Sequence, residues 1–289
     1  MTHTNPTNLG YPVIGMEGVA LLRTWLTGNR PEVQARIQEL TTFVTQPSEG
    51  PLAIELDVPE RNCEAGYAAW AATYDSALNP LICLEEPVVQ ALIDRLPPGT
   101  GLDAACGTGR HTAYIAAHKH PVVGVDVSDK MLEKARTKLP AVEFRAGDLL
   151  HLPVETASVD FAVCALALTH CADLTRPLHE LARVVRPGGR VILSDQHPIM
   201  TLLGGQALFA AEDGSFAYVP NYFHTHSAYF TAFEAAGLSV LHCLEPVYGQ
   251  EEISVLLAAV GLQGIADEAF RAALQGVPGA LIWELERSE

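Results

Sequence analysis

The stretch LDAACGTGR, residues 102–110, decides the fold because it combines an apolar run with two closely spaced glycines. The run predicts a short buried strand, and Gly107 and Gly109 frame a tight turn into a following helix. A strand, a glycine loop and a helix in this order bind phosphates, dinucleotides or other nucleoside cofactors. The same glycines also suit an ordinary tight turn, so the interpretation depends on the residues around them.

Three cofactor interpretations compete for this loop. A P-loop requires GxxxxGK followed by Ser or Thr, and the sequence contains no such run. A dinucleotide fingerprint requires GxGxxG, and the third glycine position is Thr112 here, which disfavours an NAD- or flavin-dependent oxidoreductase. S-adenosylmethionine carries no phosphate, so it needs the tight turn but no pyrophosphate seat on a helix N-terminus.

Three carboxylates lie where an adenosyl cofactor with an amino-acid tail would meet them. Asp126 closes the apolar run VVGVD, the position from which a carboxylate accepts both ribose hydroxyls. Asp148 follows the next run, close to where an adenine amino group would lie, and Asp103 at the start of the loop could meet an ammonium group. An acidic residue at such a position can also be a simple cap or turn residue. Ser128 is a natural N-cap, which leaves Asp126 free for a ligand.

Strand and helix patterns alternate from residue 100 onward, with helical stretches at 128–139 and 176–185. The first five strands are short apolar runs, which is typical of strands covered on both faces. The pattern predicts an α/β fold with a doubly wound, mostly parallel sheet. The predicted strands are Gly101–Ala105, Val122–Val127, Val142–Ala146, Val159–Ala165, Arg190–Ser194, Leu238–Leu244 and Ala280–Glu286.

These segments, in this order, resemble the motifs of class I (Rossmann-like) S-adenosylmethionine-dependent methyltransferases, most clearly over residues 100–196. LDAACGTGR resembles the family's first motif, VVGVDVSDKML its ribose motif and RAGDLLHLP its adenine motif. VDFAVCALALTHCADL and ELARVVRPGGRVILSD resemble its fourth strand, fourth helix and fifth strand. The resemblance implies a seven-stranded sheet with a C-terminal antiparallel hairpin, and S-adenosyl-L-methionine as the cofactor.

The resemblance also assigns cofactor-binding residues. It implies that Asp126 binds the ribose, that Asp148 binds the adenine amino group, and that the strand end at 164–165 lies beside the methionine part. Tyr67 and Tyr74 fall where the family closes a lid, although core packing on one helical face explains them equally well. The complete predicted set is Tyr67, Tyr74, Asp103, Ala105, Gly107, Gly109, Asp126, Val127, Met131, Gly147, Asp148, Leu149, Cys164 and Ala165.

Histidines at the carboxyl edge of the sheet are the candidate catalytic groups. Transfer of a methyl group to an oxygen or nitrogen that loses a proton benefits from a base, most often His. His170 follows the fourth predicted strand and His197 follows the fifth, and each also suits a structural role. His224 and His226 have no Cys or carboxylate partner at ligand spacing, so no metal site is predicted.

Aromatic residues crowd positions 209–233, in and after an insertion at 197–220 that is a natural substrate lid. They suit an apolar pocket for a small organic acceptor, and a core of the lid itself explains them equally well. The predicted substrate-binding residues are Tyr222, Phe223, His224 and His226. The sequence thus predicts a methyltransferase that methylates an oxygen, nitrogen or carbon atom of a small molecule. Specialised metabolites are among the candidate acceptors. The alternative is a cyclase, isomerase or binding protein that holds the cofactor without transferring its methyl group.

The composition disfavours several partners. Against 18 Lys and Arg there are 34 Asp and Glu, so the net charge is −16, which argues against nucleic acids and anionic membrane surfaces. No apolar stretch approaches membrane-spanning length, and the N-terminal MTHTNPTNLG lacks a secretory pattern. Six cysteines without a CxxC or a regular framework fit buried free thiols in a reducing cytoplasm.

The N-terminal part, residues 1–60, is predicted to be a helical appendage or lid, and residues 61–289 the methyltransferase domain with an insertion at about 197–235. Apolar residues recur at helical spacing over 16–46, and QPSEGP ends this pattern. Helices are also predicted at 63–75 and 87–96. An apolar stripe on the first helix would be buried by a partner subunit in a homodimer or by the same chain. It consists of Leu21, Leu22, Trp25 and Leu26.

Overall fold

The computed structural model describes residues 6–46, 50–75 and 79–289. Its centre is a seven-stranded sheet with the spatial order β10-β11-β7-β6-β3-β4-β5. These seven strands are β3 (Gly101–Ala104), β4 (Val122–Asp126), β5 (Glu143–Ala146), β6 (Val159–Ala165), β7 (Val185–Gln196), β10 (Leu238–Leu244) and β11 (Ala280–Arg287).

Strand order and direction confirm the predicted doubly wound fold. β3 lies between β4 and β6 and runs parallel to both, so the chain winds outward from β3 in two directions. β11 is antiparallel to both β7 and β10, which gives the predicted antiparallel C-terminal pair. In such sheets a crevice opens outside the carboxyl ends of the strands where the order reverses, here beside β3 and β6.

Apolar side chains on both faces of the sheet hold it in place. All four residues of β3 are buried, and so are Phe161 to Cys164 of β6. This double burial explains why the parallel strands appear in the sequence as continuous apolar runs. The prediction began the fifth strand at Arg190, whereas β7 begins at Val185 and pairs with Val159 before the register shifts.

The helices pack on the sheet and on one another. Asn29 caps the second helix, which has Pro31 in its first turn. The break predicted around QPSEGP includes residues 47–49, which lie outside the described residues. The helices are α1 (Gly10–Thr24), α2 (Arg30–Thr45), α3 (Cys63–Trp70), α4 (Pro80–Ile93), α5 (Arg110–Ala117), α6 (Asp129–Lys138), α7 (Thr175–Val184), α8 (Pro198–Leu202), α9 (His226–Ala236), α10 (Gln250–Ala259) and α11 (Asp267–Leu274).

Two helix predictions were wrong at their ends. The helix predicted at 87–96 begins at Pro80, because Asn79 Oδ1 caps it by accepting from the amides of Leu81 and Ile82 at 3.0 and 3.3 Å. Pro87 therefore lies inside α4 and does not start it. The helix predicted at 63–75 ends at Trp70, so Tyr74 belongs to the following turn.

Two short antiparallel pairs were not predicted. β1 (Pro6–Asn8) pairs with β2 (Glu55–Asp57), and β8 (Ala207–Ala210) pairs with β9 (Phe216–Val219) inside the predicted insertion. β2 also lies near β9, where the Arg61 amide donates to the Tyr218 carbonyl at 2.8 Å. The two pairs thus bring the N-terminal segment and the insertion together on one side of the molecule.

The N-terminal helix packs on helices that follow β10. Val13 and Ala20 of α1 are fully buried in a cluster with Leu257 and Phe270, from the unpredicted helices α10 and α11. Residues before 60 therefore share a core with the C-terminal part, and the division at residue 60 stays a prediction. Among the described residues, no helix has the length and apolar character needed to cross a bilayer.

Candidate functional site

The glycine loop leaves β3 through a run of left-handed backbone. Ala105, Gly107 and Gly109 have φ values of 56°, 54° and 85°. A Cβ built on Gly107 would meet no atom within 4 Å, whereas one on Gly109 would lie 3.4 Å from Ala135 of α6. A side chain would thus fit in the space beside Gly109, so its left-handed backbone is what favours glycine there, and Gly107 leaves its backbone open to approach by a ligand.

Asp126, the last residue of β4, fixes this loop. Its carboxylate accepts from the Gly107 amide at 2.7 Å and from the Ser128 amide at 2.8 Å. Burial raises the pKa of Asp126, and these backbone hydrogen bonds oppose the rise. A carboxylate has about four acceptor positions, so two remain for a ligand's hydroxyl groups. Ser128 caps α6 by accepting from the Met131 amide at 3.4 Å, as predicted.

Asp103 and Thr112 form a buried pair behind the loop. Thr112 Oγ1 donates to Asp103 Oδ2 at 2.5 Å, and both side chains are almost fully buried. Burial raises the pKa of Asp103. The threonine that replaces the third glycine of a dinucleotide fingerprint therefore stabilises the start of the loop, a role the spacing alone did not reveal.

The predicted adenine side lies at the ends of β4 and β5. The Gly147 amide donates to the Asp126 carbonyl at 3.0 Å, and a Cβ on Gly147 would lie 2.5 Å from Pro153. Asp148 and Val127 are exposed beside it, with Leu149 half-buried, so they can contact a ligand. Met131 and Cys164 are fully buried and belong to the packed interior, and Ala165 is half-buried.

These observations fit a nucleoside cofactor at the predicted place. The Gly107 backbone is open to approach, Asp126 keeps acceptor positions, and Val127 and Asp148 are exposed at the same edge. The residues that would hold S-adenosylmethionine are thus present in a suitable chemical arrangement, while their individual roles stay predictions.

The segment from α3 onward lies against the glycine loop. Thr108 Oγ1 donates to Asp75 Oδ1 at 2.6 Å, which ties the turn after α3 to the loop. The rings of Tyr67 and Tyr74 lie 6.3 Å apart, and Trp70 packs between them and Phe209 of β8. Trp70 was not predicted, although its spacing from Tyr67 and Tyr74 in CEAGYAAWAATYD is that of one helical face.

His170 and Tyr67 form a hydrogen-bonded pair, and the groups around the pair indicate which atom carries each proton. His170 Nδ1 lies 2.8 Å from the Pro220 carbonyl, which can only accept, so Nδ1 carries the proton. Burial lowers the pKa of His170, which favours the neutral ring. Nε2 then has a free lone pair, and the Tyr67 hydroxyl at 2.8 Å donates to it. The oxygen of Tyr67 keeps its own lone pairs for a further donor.

Asp195 at the end of β7 holds the turn that carries His170. Its carboxylate accepts from the Thr169 amide at 2.9 Å and from the Tyr229 hydroxyl at 2.6 Å. Burial raises the pKa of Asp195 to about 7 although both hydrogen bonds oppose the rise. This buried acid was not predicted, because Asp195 directly follows the apolar run of β7 and no local pattern marks it as buried.

Substitution Asp195→Asn is expected to change how stability depends on pH. The folded pKa lies above the usual value of 3.8, so the wild-type protein binds an extra proton on folding between those two values. That contribution to stability is present below about pH 4 and is lost as the pH rises through 7. The free energy of unfolding of wild type minus variant should therefore fall by up to about 4 kcal/mol from about pH 4 to pH 8. Urea titrations at several pH values measure it, and a constant difference would contradict the raised pKa.

His197, the second predicted catalytic residue, lies in a different cluster. Its Nε2 is 2.9 Å from Glu245 Oε1, and His226 Nε2 is 3.0 Å from the same oxygen. Glu245 is the carboxylate partner that the sequence interpretation missed, because it lies beyond β10 in the chain. The Ile199 amide donates to His197 Nδ1 at 3.2 Å, so the proton of a neutral His197 ring is on Nε2 and points to Glu245. This arrangement favours a hydrogen-bonded cluster over metal ligation, and the absence of a metal stays a prediction.

A cavity of about 1070 Å³ opens beside the His170–Tyr67 pair. Of the predicted site residues, Tyr67, Tyr74, His170 and Tyr222 line it. The described lining does not include His197, Phe223, His224 or His226; His224 Nε2 instead lies 2.8 Å from the Cys171 carbonyl. The aromatic lining residues are Tyr67, Trp70, Tyr74, Phe209, Phe216, Tyr218, Tyr222, Tyr248 and Phe270.

Comparison with known proteins gives the same family as the motifs. Residues 102–193 match the family model described as a methyltransferase domain. A malonyl-[acyl-carrier protein] O-methyltransferase from Yersinia pestis is 34% identical over 142 residues, 48% of this chain and 52% of that protein. The O-methyltransferase cnsE from Penicillium expansum is 38% identical over 117 residues, 36% of this chain and 42% of that protein. The chain thus spans about half or less of the length of these relatives.

The fold has matching solved structures. An S-adenosylmethionine-dependent methyltransferase from Mesorhizobium loti superposes with a TM-score of 0.54 at 21% identity, covering 71% of this chain and 98% of that one. At this identity the likeness concerns the fold, which agrees with the strand order described above. Residues 102–193 thus match a methyltransferase domain, and the fold of the chain is that of solved S-adenosylmethionine-dependent methyltransferases.

Proposed function

We propose that this protein transfers a methyl group from S-adenosylmethionine to a hydroxyl oxygen of a small organic molecule. The observation that carries the proposal is the position of the Tyr67–His170 pair, which lines the large cavity while Tyr67 lies close enough to Asp126 to be influenced by its charge. The pair therefore borders the cavity, and one of its members lies within electrostatic range of a predicted cofactor residue. Two relatives named as O-methyltransferases support oxygen as the methylated atom.

For the cofactor, we propose the same contacts that the sequence predicted. Asp126 would accept the ribose hydroxyls, Asp148 the adenine amino group, and Gly107 would allow close approach of the backbone. When bound, S-adenosylmethionine supplies an activated methyl group on a sulfonium. The enclosing segment from Tyr67 to Asp75 would exclude water, because it is tied to the glycine loop through Thr108.

On the acceptor side, Tyr67 and His170 would take up the proton that the hydroxyl loses. Tyr67 Oη already donates its own proton to His170 Nε2, so its lone pairs are the ones available to an acceptor hydroxyl. Passage of the acceptor proton to Tyr67 and of the tyrosine proton to His170 leaves Tyr67 neutral. The charge then lies on the His170 ring, whose Nδ1–H bond to Pro220 orients it.

The test is a coupled measurement on the purified protein. Calorimetry should detect binding of S-adenosylhomocysteine, and mass spectrometry of reactions with S-adenosylmethionine and a library of hydroxylated small molecules should detect products 14 Da heavier. One molecule of S-adenosylhomocysteine should form for each product molecule. Cofactor binding with an altered but unmethylated product would favour the non-transferring alternative, and no cofactor binding would refute the proposal.

Three further features stay proposals. The segments 1–60 and about 197–235 would act as lids, which is supported by their shared lining of the cavity. The exposed side chains of Leu22, Trp25 and Leu26 would be covered in a homodimer, which light scattering can test. The protein would act in the cytoplasm, where its six free cysteines stay reduced.

A further inference from the structure

The lining of the cavity carries little charge, and what it carries is negative. Of the described residues that line it, none is Lys, Arg or Asp, and Glu60 is the one acidic residue. Glu60 is exposed, and its Oε2 accepts from the Tyr218 hydroxyl at 3.0 Å. His170 adds no positive charge, because burial favours its neutral form. A ligand that carries a carboxylate or phosphate would therefore enter without a cationic partner.

The polar groups in the lining point to the same class of ligand. Asn221 Nδ2 donates to the Gly205 carbonyl at 3.3 Å, which determines the orientation of the amide. Its Oδ1 is then the buried side-chain atom of the described lining that has no hydrogen-bond partner. Together with the carboxylate of Glu60 and the oxygen of Tyr67, this atom accepts hydrogen bonds. These three groups match a ligand with hydroxyl or N–H donors, and none of them can donate a hydrogen bond to an oxyanion.

The apolar part of the cavity lining favours ligands that contain rings. Trp70 stacks on Phe209 with ring centroids 5.2 Å apart and an interplanar angle of 12°, and Phe216 and Tyr222 also face the cavity. Such walls favour a ring-containing ligand through apolar burial and aromatic contacts. The cavity volume exceeds that of most sites for drug-sized molecules, so a molecule of several rings fits.

From these three observations we infer that the cavity selects uncharged ring compounds with hydroxyl donors and rejects anionic ones. The inference names the acceptor class of the proposed function and so rests on it. Exclusion arises because an anion would lose its hydration without gaining a cation, a penalty that a neutral phenol of the same shape does not meet. The overall charge of −16 acts in the same direction at longer range.

A matched pair of ligands tests the inference by calorimetry. The compounds are 2-naphthol and 6-hydroxy-2-naphthoate, which share a ring system and a hydroxyl group and differ by one carboxylate. Titrations use the full chain with and without S-adenosylhomocysteine. We expect 2-naphthol to bind at least about 10-fold more tightly. Equal or tighter binding of the naphthoate, or no binding of either compound, would overturn the inference.

A substitution in the lining shows whether the preference arises in this cavity. Leu208 on β8 lines the cavity and is 43% exposed, so Leu208→Lys adds a cation at a position that tolerates it. The preference for 2-naphthol should shrink at least several-fold in this variant. Leu202→Lys is the matched control, because Leu202 is 69% exposed and absent from the described lining. An unchanged preference in Leu208→Lys, or the same change in both variants, would contradict the inference.

Failure of S-adenosylhomocysteine to bind would instead refute the proposed function, since the ligand pair can be compared without it.

Discussion

Asp126→Ala is expected to weaken binding of S-adenosylhomocysteine by at least about 100-fold. The carboxylate has two acceptor positions left for the ribose hydroxyls, and hydrogen bonds to a charged group contribute about 1.5–3 kcal/mol each. The substitution also removes the acceptor of the Gly107 and Ser128 amides, so the glycine loop loses the contact that orders it. Both effects act in the same direction, and isothermal titration calorimetry measures their sum.

Asp129→Ala is the matched control for this substitution. Asp129 carries the same charge three residues further on, is exposed in the first turn of α6, and contacts none of the loop residues named above. Its removal should change the affinity less than about 3-fold, through a weakened interaction with the helix dipole. Thermal unfolding of both variants shows whether the protein is folded at the titration temperature. A folded Asp126→Ala protein with wild-type affinity would refute the proposed cofactor site.

The sheet could be predicted from the sequence because its strands are local, continuous apolar runs. β6 and β10 were predicted residue for residue, and in β6 burial on both faces leaves a continuous apolar run. β1 and β2 could not be predicted, because each is three residues long and its partner lies almost fifty residues away. The start of α4 was missed for a different reason, as a proline inside a helix imitates a helix start.

In the site, too, the contacts between residues close in the chain could be predicted, and those between distant residues could not. The glycine loop and Asp126 belong to a motif that local spacing defines, and the structure places them in direct contact. The pairing of His170 with Tyr67 joins residues 103 positions apart, and that of His197 with Glu245 joins residues 48 positions apart. No periodicity records such a contact, so the two histidines looked equivalent in the sequence. Only His170 lies on the wall of the cavity.

This difference between the two histidines leads to the second large expected effect. His170→Asn and Tyr67→Phe should each lower kcat by about 100-fold or more with an acceptor whose hydroxyl is protonated in water, the usual contribution of a positioned base. His179→Asn is the control, because His179 is exposed on α7 and should leave kcat within about 2-fold. A more acidic hydroxyl loses its proton with less help from a base, so the loss in both variants should shrink toward about 10-fold or less as the hydroxyl pKa of a neutral acceptor falls. A merely structural role would reduce kcat equally for all acceptors.

The double variant should be no slower than either single one, because both side chains act on one proton path. Rates that multiply, or a loss independent of acceptor acidity, would show that Tyr67 and His170 do not share this task.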